Sequence, residues 1–157
     1  MSSSGDIGIG LLGLGVVGSE VANALIQNSE RIAQQVGRRV TLCGVLIRDQ
    51  KKSRPTTVPA NLLTTEATDL LNNPEVDIVV ELIGGENPAV DLLHAALAGG
   101  KHVVTANKEV MGTYGPEIIE LAEEQEVNLL YEASVGGGIP IIGPLRKDLL
   151  ANNVTSV

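Results

Sequence analysis

Residues 7–18, IGIGLLGLGVVG, set a short apolar run, a cluster of glycines and the start of helix-forming sequence in immediate succession. A strand that turns on glycine into a helix leaves the first N–H groups of that helix without intrahelical partners, at the positive end of its dipole. That end suits a nucleotide diphosphate. Two overlapping frames satisfy the G-x-G-x-x-G spacing: Gly8, Gly10 and Gly13, or Gly13, Gly15 and Gly18. The first frame takes its strand from MSSSGD, which has almost nothing apolar to bury, and runs a helix through Gly15 and Gly18 at about 1 kcal/mol per glycine. The second places a strand over residues 7–12, with Ile7, Ile9 and Leu11 available to one face. Its helix starts near Val16, with Val17, Val21, Ala24 and Leu25 at helical spacing. In this frame Gly13 makes the tight turn, Gly15 lets the backbone approach a pyrophosphate, and Gly18 lets the helix pack close to the strand. The motif by itself is weak, because glycine-rich turns are often only turns.

A chain of 157 residues with 43% hydrophobic content is one domain by length and large enough for a real core. With two Tyr, no Phe and no Trp, that core is aliphatic, and aromatic platforms for stacking single-stranded nucleic acid are missing. The net charge of -8 repels phosphate backbones, so no nucleic-acid partner is expected. Cys43 is the single cysteine and sits in an apolar run, which fits a buried, inert thiol and a reducing, cytoplasmic setting. The polar N-terminus lacks a charged segment ahead of an apolar stretch, and no run approaches the ~18 apolar residues of a membrane span. Neither a secretory signal nor a membrane partner is expected.

Beyond the glycines, helical register holds through Val17, Val21, Leu25, Ile32 and Val36 to a cap at Gly37, as one long helix or as two broken near Asn28 and Ser29. Residues 40–47 read as a second parallel strand. Its end is where a sheet of this type reads the adenosine ribose, an acid accepting from the 2′-OH of NAD and a base accommodating the 2′-phosphate of NADP. Here Ile47 is followed by Arg48 and Asp49, and four of the eleven Lys and Arg, Arg48, Lys51, Lys52 and Arg54, fall within seven residues. That local charge favours NADP. NAD stays open, because Asp49 can serve a 2′-OH and the segment also fits a solvated basic loop.

Residues 55–61 carry two prolines and form a connection; Leu62 and Leu63 make a short edge strand, and Thr65 caps a brief helix over 66–71. Residues 77–83, DIVVELI, read as a central strand covered on both faces. The pair Gly84 and Gly85 follows it, where a flat ring can lie against the backbone or the chain simply turns. Glu81 is out of place in so apolar a run and needs a partner. A helix over 88–98 leads to a strand over 101–104, and His94 and His102 have no neighbours at metal-ligand spacing. Lys108 then opens a helical segment, a position unfavourable with the dipole by ~0.3–1 kcal/mol, which fits an anionic or carbonyl ligand or a surface lysine offset by Glu109. An acidic amphipathic helix follows over 114–126, with Ile118, Leu121 and Ala122 inward, then a strand over 127–131. The loop 132–140 contains three consecutive glycines, suited to an oxygen-ligated cation or to a phosphate, and opens a helix over 140–150. The order of elements is α/β: a Rossmann-like, doubly wound, mostly parallel sheet with helices on both faces.

Five blocks, GLGVVG at 13–18, VLIRD at 45–49, DIVVELIGG at 77–85, GKHVVTANKEVM at 100–111 and YEASVGGGIPII at 131–142, resemble the N-terminal part of the homoserine dehydrogenase family, at its spacing. The resemblance implies NAD(P)-dependent, reversible reduction of aspartate 4-semialdehyde to homoserine, a step toward threonine, isoleucine and methionine. It implies cofactor contacts at Leu14, Val16, Val17, Arg48, Thr105 and Lys108, with the Lys108 ammonium near the reacting oxygen, beside those already expected at Gly13, Gly15, Gly18 and Gly84. It further implies a monovalent cation site, sodium in this family, at Glu132, Val135, Gly137 and Ile139, ligated largely by carbonyls. Residues 1–157 are then a dinucleotide-binding domain, with 5–135 as its core and 136–157 as the start of a connection to a substrate and dimerisation domain. On this reading the chain binds NADP(H) weakly, has a small-molecule substrate, does not turn over alone, and is part of a protein that forms a homo-oligomer. A non-catalytic dinucleotide-binding sensor is the alternative, against which Lys108 counts weakly.

Overall fold

The structure, a computed structural model, describes residues 5–52 and 57–149. Arg54, residues 55 and 56 of the expected connection, and residues 150–157 of the expected C-terminal segment lie outside these. Six strands form one sheet: β1 (Ile7–Leu12), β2 (Val40–Leu46), β3 (Leu63–Thr64), β4 (Ile78–Glu81), β5 (His102–Thr105) and β6 (Leu129–Leu130). Their order is β3-β2-β1-β4-β5-β6. Every neighbouring pair is parallel. The chain therefore starts in the middle of the sheet, winds outward to β3, crosses back and winds out to β6. This is the doubly wound order whose switch point lies between β1 and β4.

The sheet buries an aliphatic layer on each face. Ile9, Leu11, Leu42 and Val45 pack with Leu14 and Ala22 on one side. Leu12, Val79, Val103 and Leu129 pack on the other with Leu93 and Leu97. The alternation within a strand is the period-2 rule at work, with Ile78 and Val80 facing one layer and Val79 the other. Among the described residues five α-helices flank the sheet: α1 (Val16–Gln27), α2 (Ser29–Val36), α3 (Thr68–Leu71), α4 (Ala89–Ala98) and α5 (Lys108–Glu124). The first helical stretch breaks at Asn28, and Gly37 closes α2 at φ 78°. In α4, Ala89, Leu93, Ala96 and Leu97 are buried at helical spacing.

Gly8 and Gly10, rejected as the nucleotide turn, have a packing role. A Cβ on Gly8 would overlap the carbonyl oxygen of Glu75, and one on Gly10 would meet Val76 Cγ1 at 3.1 Å. Absence of side chains there lets the turn before β4 lie directly on β1.

Several element bounds differ from expectation. The segments expected to begin at Lys108 and at Tyr114 are one helix of 17 residues that runs through Gly112, Gly115 and Pro116. Local propensity argues for a break, but Val110, Ile118 and Ala122 form one continuous buried stripe, and packing outweighs the single hydrogen bond that Pro116 removes on the exposed side. The brief helix before Asn72 starts at Thr68 and has no side-chain cap, so Thr65 does not cap it; in the turn ahead of it Thr64 Oγ1 accepts from the Glu66 N–H at 3.0 Å. β4 ends at Glu81 and not at Ile83, because the Ile83 N–H turns back to the Glu81 carboxylate. β6 is two residues, since the Val127 N–H bonds to Ala122 at the end of α5 and Tyr131 leads into a tight turn over Glu132–Ser134. At the far end the helical geometry is a wide turn, Pro144–Asp148.

Candidate functional site

Register decides what this sheet presents. Leu12 pairs with Leu46 on one side and with Glu81 on the other, and Glu81 pairs with Thr105. The row Leu46, Leu12, Glu81, Thr105 therefore ends four adjacent strands at one level. The segments that leave it are Ile47–Arg48, the glycine turn 13–18, the turn 82–85 and the turn carrying Lys108. Residues far apart in sequence thus emerge at one carboxyl edge, where open parallel sheets bind ligands.

The glycine turn shows three separate requirements. Gly13 has φ 101°, and a Cβ there would come within 2.9 Å of the Leu82 carbonyl. A Cβ on Gly18 would overlap the Gly13 carbonyl oxygen, so α1 lies against the turn only because Gly18 has no side chain. Gly15 is different: it caps α1 in an ordinary extended conformation, and a Cβ would meet nothing within 4 Å. Neither backbone strain nor internal packing calls for glycine at 15. Helix α1 has no acidic residue in its first turn, whereas α2 to α5 carry Glu30, Asp69, Asp91 and Glu109 there. Its positive end is not offset by a carboxylate of its own first turn. Val16 is 87% and Val17 57% exposed beside it. Leu14 is buried in the core, which leaves only its backbone for contact.

Arg48 is exposed just past β2 and has no hydrogen bond or ion pair among the described residues. Asp49 turns onto its own loop, where Oδ1 accepts the Lys51 N–H at 2.8 Å. Gly84 sits at φ 77° with open space before it. Lys108, the first residue of α5, is exposed and has no ion pair among the described residues. It borders a cavity of about 310 Å³ lined also by Met111, Gly115, Ile119, Tyr131 and Ser134. A larger cavity of about 470 Å³, between α1, α2 and the amino end of β2, lies at the opposite edge and has no part in this site.

Glu81 finds its partners in the fold. It is fully buried, its Oε1 accepts from the N–H groups of Ile83 (2.7 Å) and Gly84 (3.4 Å), and its Oε2 accepts from the Thr105 hydroxyl at 2.6 Å. The Thr105 hydroxyl in turn accepts from the Asn107 N–H at 3.0 Å. Thr105, expected to touch cofactor, thus has its side chain fully engaged beneath the site. Asn107 caps α5 by accepting the Val110 N–H, and its side-chain amide donates to the Gly85 carbonyl at 2.7 Å. Asn107 and Ser134, whose hydroxyl donates to the Thr105 carbonyl at 3.0 Å, were not foreseen as site residues. The available signal was a lone carboxylate in an apolar strand and a Thr-x-Asn at the end of the next.

The Glu132 carboxylate accepts three consecutive N–H groups, from Ile141, Ile142 and Gly143. These bonds, led by those from Ile141 and Gly143, hold its carboxyl below the usual range against an opposing effect of burial. Its carbonyl accepts the Val135 N–H. Val135, Gly137 and Ile139 follow on the same loop, with Gly136 and Gly137 at positive φ and Ile139 66% exposed. A depressed folded value means the clamp is complete above the ordinary glutamate range and is lost as pH falls through the lowered value. The amide proton resonances of residues 141–143 should therefore titrate together with a midpoint below that of an ordinary glutamate, and Glu132→Gln should abolish the transition. A midpoint at or above the ordinary value would refute the clamp.

The other titratable candidates are structural. Burial pushes the Cys43 thiol up, with its S–H directed at the Glu75 and Thr41 carbonyls. His102 Nδ1 accepts the Asn128 N–H, and His94 lies 3.3 Å from Glu117. Among the described residues no cluster of His, Cys, Asp or Glu can hold a metal, and no helix is long and apolar enough to cross a membrane.

A doubly wound sheet with a glycine turn at its switch point and a carboxylate-free helix start beyond it defines the dinucleotide-binding α/β class. Residues 13–132 match the family described as homoserine dehydrogenase, NAD binding domain, and the chain belongs to that family. It is 42% identical over 151 residues to homoserine dehydrogenase of Bacillus subtilis, covering 96% of this chain and 35% of that protein. The crystal structure of a homoserine dehydrogenase from Thiobacillus denitrificans superposes with a TM-score of 0.84 at 45% identity, over 94% of this chain and 34% of that one. A hyperthermophilic archaeal homoserine dehydrogenase in complex with NADPH shares the fold, with a TM-score of 0.74 at 22% identity over 93% of this chain and 50% of that one. The chain spans about a third of the length of the curated relatives it matches.

Proposed function

We propose that this chain is the NADP(H)-binding part of a homoserine dehydrogenase that interconverts aspartate 4-semialdehyde and homoserine. The observation that carries the reading is the row Leu46, Leu12, Glu81, Thr105, which brings the glycine turn, Arg48, Gly84 and Lys108 to one edge. The residues present fit a dinucleotide: the space before Gly15 is one that a Cβ would enter, and the N–H groups opening α1 accept a diphosphate. Arg48 pairs with the 2′-phosphate. When bound, the nicotinamide supplies or accepts the hydride. Lys108 contributes an ammonium at the carboxyl edge, which orients the aldehyde oxygen and stabilises the negative charge that grows on it as the carbonyl is reduced. Oxygens of Glu132, Val135, Gly137 and Ile139, largely carbonyls, would hold a monovalent cation, sodium being a hard cation suited to oxygen donors. Its role is to fix the loop after β6. Residues 136–157 begin the connection to the substrate domain. Turnover and the homo-oligomer belong to the longer protein.

Gly15→Ala tests the reading directly. With open space at that position, the variant should keep the wild-type thermal midpoint, yet lose about tenfold or more in NADPH affinity by fluorescence titration, since a methyl group displaces the diphosphate from backbone N–H groups. Unchanged affinity would count against the site.

A further inference from the structure

Of the four buried polar residues among those described, three, Glu81, Thr105 and Asn107, belong to one network. Burying a carboxylate costs several kcal/mol unless donors replace its water, and no cation faces Glu81 among the described residues. Its donors are the Ile83 and Gly84 amides and the Thr105 hydroxyl. The network is directional. The Asn107 N–H donates to Thr105 Oγ1, the Thr105 O–H donates to Glu81 Oε2, and the Asn107 side chain reaches back to the Gly85 carbonyl. These bonds close a ring that joins the turn after β4 to the turn after β5. One turn carries Gly84; the other carries Lys108.

The ring lies under the carboxyl ends of β4 and β5. The adenosine side of the edge is at β2, where Arg48 stands, and the diphosphate belongs at the β1 turn. By the switch-point rule the remaining half of the ligand extends over β4 and β5. We propose that Glu81 is a positioning residue for the nicotinamide half of the cofactor, acting through the Gly84–Gly85 turn and through Thr105 and Asn107 on the start of α5. The inference rests on the NADP(H) reading above. A carboxylate is required because both of its oxygens must accept. The amide of a glutamine would turn a donor toward either the Thr105 hydroxyl, leaving that hydroxyl's own proton without its acceptor, or the two amides.

The test uses the full chain and two probes, NADPH and 2′-phospho-ADP-ribose, which is the same molecule without nicotinamide. Glu81→Gln should weaken NADPH about tenfold and leave 2′-phospho-ADP-ribose within about twofold of wild type. Thr105→Val should reproduce that selective loss, and Thr105→Ser, which keeps the hydroxyl, should restore wild-type binding of both. A loss shared equally by the two probes would make Glu81 a general stabiliser and overturn the proposal, as would unchanged NADPH affinity. Should Glu81→Gln fail to fold, the Thr105 pair decides between the same outcomes. A wild-type chain that binds neither probe would overturn the dinucleotide reading, and this inference with it.

Discussion

Gly8→Ala is expected to destabilise the fold by about 3 kcal/mol or more, lowering the thermal midpoint by roughly 6–12 °C. The added methyl would occupy the position of the Glu75 carbonyl oxygen, with the Cys43 sulfur 2.9 Å away on a second side. A carbonyl in a turn cannot rotate aside as a side chain does. The Asp77 N–H bonds to the Gly8 carbonyl at 2.9 Å and the Gly8 N–H to the Asp77 carboxylate at 2.8 Å, so the turn must separate from β1 and break both. The central pair β1 and β4 would loosen at its start. Gly112→Ala is the control: this glycine lies in the second turn of α5 with open space around its Cβ position, and alanine there should stabilise by about 0.5–1 kcal/mol. Circular dichroism melts of the two variants should move in opposite directions. A Gly8→Ala midpoint within about 2 °C of wild type would refute the close approach.

Arg48→Glu is expected to weaken NADPH about 100-fold while changing NADH by no more than about twofold. Losing a charge-assisted bond to a phosphate accounts for about 1.5–3 kcal/mol, and a carboxylate facing the dianion adds roughly 1 kcal/mol of repulsion in a solvent-exposed setting. The sum is near the ~2.7 kcal/mol of a 100-fold change. Asp49, the next residue, accepts the Lys51 amide through Oδ1 and, as an acid, suits the 2′-OH of NAD and not a 2′-phosphate. Parallel titrations of both cofactors against wild type and variant decide it: an equal loss of the two, or none, would remove the 2′-phosphate from Arg48 and return NAD to consideration.

Much of this site was legible in the chain itself. The two glycine frames separate on strand and helix quality alone, and the structure agrees on the elements, with β1 over Ile7–Leu12, α1 from Val16, and separate steric reasons for glycine at 13 and 18. The basic end of β2 and the glycine pair after β4 were also visible, since turn residues and charge are local signals. The α5 stripe was harder, because Gly112, Gly115 and Pro116 argue locally for a break that burial against α4 overrides. The family resemblance puts Thr105 at the site, but its hydroxyl is turned downward to Glu81, and Leu14 likewise gives its side chain to the core.

The sequence alone determined the α/β order of elements, the glycine turn and its frame, because each depends on residues within a dozen positions of one another. The partner of Glu81 depended on register. Only when Leu12 pairs with Glu81 and Glu81 with Thr105 do a carboxylate and a hydroxyl 24 residues apart come within 2.6 Å. Only then do Arg48, Gly84 and Lys108 share one edge. A one-residue slip would send Glu81 to the opposite face of the sheet, so it is the pairing of parallel strands, a long-range property no local pattern encodes, that assembles the site.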